Sequence, residues 1–222
     1  MTYRIHTISG APRPWRVLLG LVAKKLDFEI VVLNGSKREH KAPAFLALNP
    51  RGRVPVFESG DFAVRESIAI LAYLERVHPE PPLFGVTPED AARVWEQVME
   101  GDHDLFTTTE ALLRPFLAEG KAAVSDSARA AAEAVHPELR RLASRVDDVP
   151  FLCGSAISAA DCVAFPQVRL VARAIERFPD IMAELGFPGL RELYPSLSDW
   201  VDRIEALPDY AKTFPQHWTR RS

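Results

Sequence analysis

Residues 49–67 read Asn-Pro-Arg-Gly-Arg-Val-Pro-Val-Phe-Glu-Ser-Gly-Asp-Phe-Ala-Val-Arg-Glu-Ser. Two short apolar runs, at 54–57 and 62–64, flank a Ser-Gly-Asp sequence that favours a tight turn between paired strands. The segment therefore predicts a β-hairpin. The proline in its first strand removes one backbone donor, so we expect that strand to begin at an edge or beside a special turn.

An alternation of strand and helix patterns precedes the hairpin. Tyr3–Ile8 and Phe28–Leu33 are compact β-like runs, and Pro12–Leu26 between them carries apolar residues at helical spacing. Ala42–Leu48 predicts a short helix before the hairpin, and Glu66–Val77 predicts a longer one after it. The predicted order is β-α-β-α-β-β-α, a mixed sheet whose first two strands are parallel and joined by a right-handed crossover.

The remainder of the chain has a different pattern. His78–Pro88 contains four prolines in eleven residues, which predicts a stiff, extended linker. Beyond it strand patterns nearly vanish, and helices are predicted at 89–119, 125–146, 160–177 and 196–207, with a shorter piece near 181–185. Ser158 and Asp161 have the spacing of a capping box at the start of one of them. The sequence thus predicts an α/β domain over residues 1–80 and an all-α domain over residues 88–222.

Composition excludes several classes of protein. The 222 residues are 47% hydrophobic and 26% charged, as in globular proteins rather than disordered or disulfide-dense ones. Residues 1–80 hold 12 Lys or Arg against 8 Asp or Glu, whereas residues 81–222 hold 15 against 22. Neither part has the strong basic excess of a nucleic-acid-binding protein. The positive first part suits a small anionic ligand, although a surface charge of this size more often reflects solvation alone.

The sequence carries no targeting or redox signal. The first ten residues lack the apolar core of a signal peptide, and no apolar run approaches the 18 residues of a membrane span. Cys153 and Cys162 form neither a CxxC pair nor a zinc-binding pattern. We therefore expect a cytoplasmic protein with no membrane partner and no metal.

Two dipeptides near the hairpin have binding chemistry. If the peptide before Pro55 is cis, the backbone N–H and C=O of Val54 point outward and can pair with a bound peptide. The first-turn N–H groups of the next helix can bind a carboxylate, with a hydroxyl from Ser67, while Glu66 can bind an ammonium group. The carboxylate and the ammonium group of one amino-acid end would then bind at the same place. Taken alone, these residues fit an ordinary strand-flanking proline and a plain helix cap better than a binding site.

Residues 39–57, the hairpin and residues 65–74 together closely resemble the glutathione-binding half of the cytosolic glutathione transferases. The resemblance is greatest to the serine-type phi, theta and zeta-like branches and their bacterial relatives. Its motifs are NP-x-G-x-VP and ES-x-AI at this spacing, and the helical part with its Ser-x-x-Asp box extends it over nearly the whole chain. It implies a thioredoxin-like N-terminal domain, an all-α C-terminal domain and usually a homodimer. The implied activity is conjugation of the thiolate of glutathione to a hydrophobic electrophile, a detoxification reaction.

The resemblance also implies roles for individual residues. Val54 would pair with the cysteinyl backbone of glutathione beside a cis Pro55, and Glu66 and Ser67 would hold its γ-glutamyl end. The basic residues placed near the glycyl carboxylate or the nearby backbone are His40, Lys41 and Arg53. Glutathione would be a co-substrate, and no metal is implied.

The electrophile is expected beside the cysteinyl sulfur, in a cleft between the domains. Residues that could line this pocket lie on the first long helix of the second domain: His103, Phe106, Thr107, Thr109 and Arg114. Each of them also fits a place in the helical core or on a solvated face.

The sequence departs from the serine-type pattern at the residue that activates the thiol. In those relatives a catalytic serine lies five residues before an arginine, and the matching position before Arg16 is Ala11. A hydrogen bond to the thiolate contributes ~1.5–3 kcal/mol. This lowers the ordinary thiol pKa of ~8.5 by roughly one to two pH units. Candidate substitutes are the Ser9 hydroxyl, the Arg13 cation and backbone N–H groups at the start of the first helix. Ser9 equally fits a turn residue beside Gly10.

The missing hydroxyl leaves other functions open. One is a glutathione-binding protein with little transferase activity. Another is a different glutathione-dependent reaction, such as peroxide reduction, isomerisation or reductive dehalogenation, because one thiol site serves several chemistries in this family. A disulfide reductase that uses its own cysteine is disfavoured, because neither cysteine lies in the first domain.

Overall fold

The computed structural model describes residues 3–120 and 123–218. Its internal contacts divide the chain into two units, one made of residues 1–83 with 207–222 and the other of residues 84–206. The sequence-based division placed all of 88–222 in the second domain. In the structure the end of the chain belongs to the first unit instead, because Thr213, Phe214 and Trp218 contact the buried ring of Trp15.

The first unit is built on a four-stranded mixed sheet. Its strands are β1 (Tyr3–Thr7), β2 (Phe28–Val32), β3 (Val56–Ser59) and β4 (Phe62–Arg65), in the order β2-β1-β3-β4. β1 pairs in parallel with β2 and antiparallel with β3, and β3 pairs antiparallel with β4. The predicted parallel pair and the predicted hairpin are both confirmed.

Three helices belong to the sheet: α1 (Pro12–Ala23), α2 (Pro43–Leu48) and α3 (Ser67–Val77). Proline opens both α1 and α2, where its missing N–H would have had no helical partner. α1 packs against α3 at Gly20, where an added Cβ would lie 2.3 Å from Cδ2 of Leu71. The predicted order β-α-β-α-β-β-α is therefore confirmed.

Two predicted boundaries shift for local reasons. α1 ends at Ala23 rather than at Leu26, because Lys25 takes a left-handed conformation with φ +55°. Before that turn the buried Lys24 ammonium donates to the Pro81 carbonyl at 2.8 Å and pairs with a carboxylate oxygen of Glu75 at 2.7 Å. β3 begins after Pro55 rather than before it, since a proline has no N–H to donate to the ladder.

The second unit is helical. Its helices are α4 (Pro88–Glu100), α5 (Phe106–Leu117), α6 (Asp126–Arg145), α7 (Ala159–Arg177), α8 (Pro179–Glu184), α9 (Leu190–Leu193) and α10 (Pro195–Glu205). A π-helical turn at Gly101–Leu105 joins α4 to α5, so the single helix predicted over 89–119 contains an irregular turn. α7 is central, because every residue from Ala159 to Val168 is buried and α4 and α5 pack against it.

The capping box at the start of α7 is present and fully enclosed. Oδ2 of Asp161 accepts from the Ser158 backbone N–H at 2.8 Å and from its hydroxyl at 2.7 Å. Oδ1 accepts from the backbone N–H of Leu152 at 2.9 Å and from the indole N–H of Trp200 at 2.8 Å. Burial raises the pKa of this carboxyl, and the four donors oppose that rise.

Candidate functional site

Three segments of the first unit meet at one end of the sheet. His6 pairs with Val56, and Val56 pairs with Arg65, so these residues form one row across β1, β3 and β4. Continuing along the chain from that row, β1 leads to the start of α1 and β4 leads directly to the start of α3. Val54 precedes the row by two residues. The dipeptides that the sequence singled out, Val54-Pro55 and Glu66-Ser67, therefore lie at the same end of the sheet as the first turn of α1.

The loop before β3 is shaped by the buried side chain of Asn49. Its amide Nδ2 donates to the Arg53 carbonyl at 2.6 Å, and its Oδ1 accepts from the Arg51 backbone N–H at 3.1 Å. The Asn49 carbonyl also accepts from the Gly52 N–H at 2.8 Å. These bonds fold residues 49–53 into a compact turn. Asn49 thus shapes this loop, a role that the sequence reasoning missed although the residue stands inside the motif that carried the resemblance.

The loop presents the backbone of Val54. The Val54–Pro55 peptide is cis, as the resemblance implied. Val54 is half-buried, and within the described residues its N–H and C=O make no turn or loop hydrogen bond. A backbone in this state can accept a hydrogen bond from an extended peptide and donate one to it.

Glu66 has an unusual backbone at the start of α3. It takes φ +69° and ψ +117°, whereas Arg38 and Asp209 lie in the ordinary left-handed helical region. Its side chain is 66% exposed, makes no capping hydrogen bond and lies 3.8 Å from the guanidinium of Arg51. Ser67, the first residue of the helix, is buried. A strained residue of this kind costs about 1–3 kcal/mol, and such residues cluster at ligand sites.

The basic residues that precede this loop differ in their contacts. The Lys41 ammonium donates to the carbonyls of Arg51 at 3.0 Å and Gly52 at 2.8 Å, so it holds the loop. His40 is half-buried, and its Nδ1 has no hydrogen-bond partner within the described residues. Arg53 is exposed. Within the loop, Arg51 and Arg53 place a positive charge on each side of the buried Gly52.

The start of α1 lacks the hydroxyl of the serine-type pattern. Ala11 is the N-cap, with an extended backbone and no side-chain cap, and the first helical residue is Pro12. Ser9 is exposed, and its Oγ lies 2.8 Å from Nδ1 of His217. Arg13 is half-exposed in the first turn. His217 is 208 residues away in the chain, so no local pattern could have associated it with Ser9.

The two halves of the chain match known domains. The family profile described as "Glutathione S-transferase, N-terminal domain" matches residues 1–76, and the one described as "Glutathione S-transferase, C-terminal domain" matches residues 122–203. This chain belongs to the glutathione S-transferase family. The predicted fold class and the predicted glutathione transferase activity are thereby confirmed.

Individual relatives agree with the family. The transferase is 29% identical to a glutathione S-transferase of Hyoscyamus muticus over 96% of its own length and 97% of that protein's. It is 42% identical to glutathione S-transferase 1 of Dianthus caryophyllus, but that match spans 39% of this chain and 38% of the relative. A crystal structure of a glutathione S-transferase from the Antarctic clam Laternula elliptica superimposes with a TM-score of 0.84 at 28% identity, covering 100% of this chain and 96% of that one.

The second unit of the transferase carries a shallow groove of about 430 Å³ along α5. Three residues predicted to contact the electrophile line it, namely Phe106, Thr107 and Arg114. His103 is exposed in the π-helical turn. Thr109 is a correction, because it is fully buried, with Oγ1 2.6 Å from the Leu105 carbonyl and 2.7 Å from the side-chain amide of Gln167. It belongs to the helical core.

The cysteines of the transferase are poor nucleophiles. Cys162 is completely buried in α7. Burial, with the neighbouring Asp161 carboxyl, raises the pKa of the Cys153 thiol to about 11. Because the thiolate is the reactive form, a reaction that needs a protein thiolate is disfavoured at neutral pH.

The described residues contain neither a metal-binding cluster nor a membrane-spanning helix. No group of three or more His, Cys, Asp or Glu side chains there is arranged to hold a metal ion. None of the helices within residues 3–120 and 123–218 is both long and apolar enough to cross a membrane.

Proposed function

We propose that this transferase binds glutathione at one end of the sheet, where Val54, Glu66 and the first turn of α1 lie. The observation that carries the proposal is the row His6–Val56–Arg65, because the three segments continue from it at one end of the sheet. The backbone of Val54 pairs with the cysteinyl residue of glutathione. The γ-glutamyl carboxylate binds the N–H groups at the start of α3 together with Ser67, and Glu66 binds the γ-glutamyl ammonium group.

The basic residues complete the site by charge. Glutathione is a net anion at neutral pH, and its glycyl carboxylate is directed toward His40 and Arg53. Lys41 contributes mainly through the loop, because its ammonium already bonds two loop carbonyls. Arg13 adds positive potential near the sulfur through its guanidinium and its backbone N–H, because its neighbours Pro12 and Pro14 have no N–H to contribute.

The bound thiolate adds to a hydrophobic electrophile. We assign the electrophile contacts to the groove lined by Phe106, Thr107 and Arg114, which offers an aromatic ring, a hydroxyl and a guanidinium that is paired with Glu119 at 3.2 Å. The protein acts as a cytoplasmic homodimer, as is usual for the family. Peroxide reduction, isomerisation and dehalogenation share the same first step, so a panel of electrophiles decides among them.

One observation favours a second function. Ala11 places a methyl group where serine-type relatives have the hydroxyl, so binding of glutathione without efficient turnover is the alternative. Retention on immobilised glutathione, combined with turnover of a chloronitrobenzene, separates the two. Retention with turnover supports the transferase, retention alone supports the binding protein, and loss of both overturns the proposed site.

A matched pair of variants tests the placement of the ligand. Glu66→Gln removes the charge expected to bind the γ-glutamyl ammonium, so the KM for glutathione should rise about 10- to 100-fold. Asp61→Asn removes an exposed carboxylate from the same hairpin at the opposite end of the sheet and should leave that KM unchanged. Equal effects of the two substitutions would contradict the proposed position.

A further inference from the structure

A buried contact holds the C-terminal segment 207–218 on the first unit. The indole N–H of Trp15 donates to the Thr213 hydroxyl at 3.0 Å, and both residues are buried. The rings of Phe214 and Trp218 lie edge-on to the Trp15 ring, with centroids 6.2 and 5.4 Å away. These contacts fix the turn Gln216–Trp218 beside the start of α1.

The same turn places an imidazole on the end of β1. Nδ1 of His217 lies 2.8 Å from Oγ of Ser9. Between Ser9 and α1, Gly10 takes φ +81°, and an added Cβ there would lie 3.1 Å from Cε1 of His217 and 3.3 Å from Nε1 of Trp218. Only glycine meets both requirements, the left-handed backbone and the close approach of the two rings.

The chemistry of this pair depends on which group donates. A serine hydroxyl has one hydrogen and two acceptor lone pairs. If Nδ1 of His217 carries a proton and donates to Oγ, the Ser9 hydrogen stays free for another acceptor. Ser9 is exposed and lies two residues before Ala11, at the same end of the sheet as Val54. The free O–H is therefore available near the start of α1.

We propose that His217 is a positioning residue, whose Nδ1–H donates to Ser9 and orients the Ser9 O–H toward the thiolate of bound glutathione. The inference rests on the proposed glutathione site. It assigns to Ser9, oriented by the C-terminal segment, the hydrogen bond to the thiolate that the methyl group of Ala11 cannot make. Ser9 is the catalytic donor in this arrangement, and His217 acts through it.

A double-mutant cycle with a spectroscopic readout tests the pair. The ultraviolet absorbance of the thiolate, titrated with glutathione bound to the protein, reports the thiol pKa whether or not an electrophile turns over. Ser9→Ala and His217→Ala should each raise that pKa and lower kcat by about tenfold, with the KM for glutathione within about twofold. The double variant should fall no further than Ser9→Ala alone.

His217→Asn supplies the conservative variant, because its side-chain N–H can still donate to Ser9 at a similar position. It should restore most of the kcat that His217→Ala loses. An unchanged thiol pKa in His217→Ala would overturn the inference, as would an equal effect of that substitution with and without Ser9. If glutathione does not bind the unaltered protein, the proposed function fails; if it binds and these variants behave like the parent, the inference alone fails.

Discussion

Asp161 and Glu66 are both acidic residues at a helix N-terminus, yet their surroundings are opposite. Asp161 is completely buried and accepts four hydrogen bonds from Leu152, Ser158 and Trp200. Glu66 is exposed, makes no capping hydrogen bond and has a strained backbone. The same chemical group is therefore enclosed by donors in α7 and exposed to solvent at α3.

The difference follows from what surrounds each carboxylate. A buried acceptor must be satisfied within the protein, because each unpaired donor or acceptor there costs about 1–3 kcal/mol. An exposed acceptor can exchange water for a ligand at little cost to folding. A site for an ammonium group therefore needs an exposed carboxylate rather than one enclosed by buried donors. Glu66, which is 66% exposed and has only the exposed Arg51 guanidinium at 3.8 Å among its ion pairs in the described residues, meets that need.

The largest effect is expected at Asp161. Asp161→Ala would remove the shared acceptor of the backbone N–H groups of Leu152 and Ser158 and of the Trp200 indole. We expect a loss of about 3–5 kcal/mol in the free energy of unfolding, measured by urea denaturation. Asp126→Ala, at an exposed first turn of α6, is the matched control and should change stability by less than about 0.5 kcal/mol. A loss below about 1 kcal/mol at Asp161 would remove the contrast.

Asn49 should give an intermediate effect because it combines both behaviours. Its side chain is buried and satisfied like that of Asp161, but the loop that it shapes belongs to the proposed site. Asn49→Ala should cost about 1–2 kcal/mol of stability and also weaken glutathione binding several-fold, measured by urea denaturation and calorimetric titration.

The control for Asn49 is another loop asparagine. Oδ1 of Asn34 accepts from the Lys37 N–H at 2.9 Å in an exposed turn outside the site. Asn34→Ala should cost less stability and leave glutathione affinity unchanged. Loss of stability at Asn49 with unchanged affinity would show that the loop does not shape the binding site.

Local sequence pattern predicted the features that depend on neighbouring residues. The hairpin, the parallel pair and the Ser158–Asp161 box all follow from periodicity, turn residues and capping chemistry within a few positions. The family motifs further implied the cis peptide at Pro55. The π-helical turn at Gly101–Leu105 was missed, because an irregular turn leaves the helical composition unchanged.

The features that escaped prediction depend on distant contacts. The Ser9–His217 pair joins the two ends of the chain and arises because Trp15 binds the C-terminal segment. The end of the chain therefore belongs to the first unit, where the linear pattern had placed it with the helices. Thr109 likewise is a polar residue of the kind that lines pockets. Its burial and its hydrogen bond with Gln167, 58 residues along the chain, show that it belongs to the core.

The smallest expected effect concerns the strain at Glu66. At φ +69° the Cβ of a side chain approaches the backbone closely, which destabilises the folded state. Glycine has no Cβ and avoids this steric cost. Glu66→Gly should therefore raise the free energy of unfolding by about 0.5–1 kcal/mol relative to Glu66→Ala, although glycine ordinarily lowers stability relative to alanine. Urea denaturation of the two variants measures the difference, and both should bind glutathione equally weakly because both lack the carboxylate. A glycine variant less stable than the alanine variant would mean that the backbone at Glu66 is relaxed. The positive φ would then cost no free energy of folding. Glu66 and Asp161 would differ only in how exposed their carboxylates are.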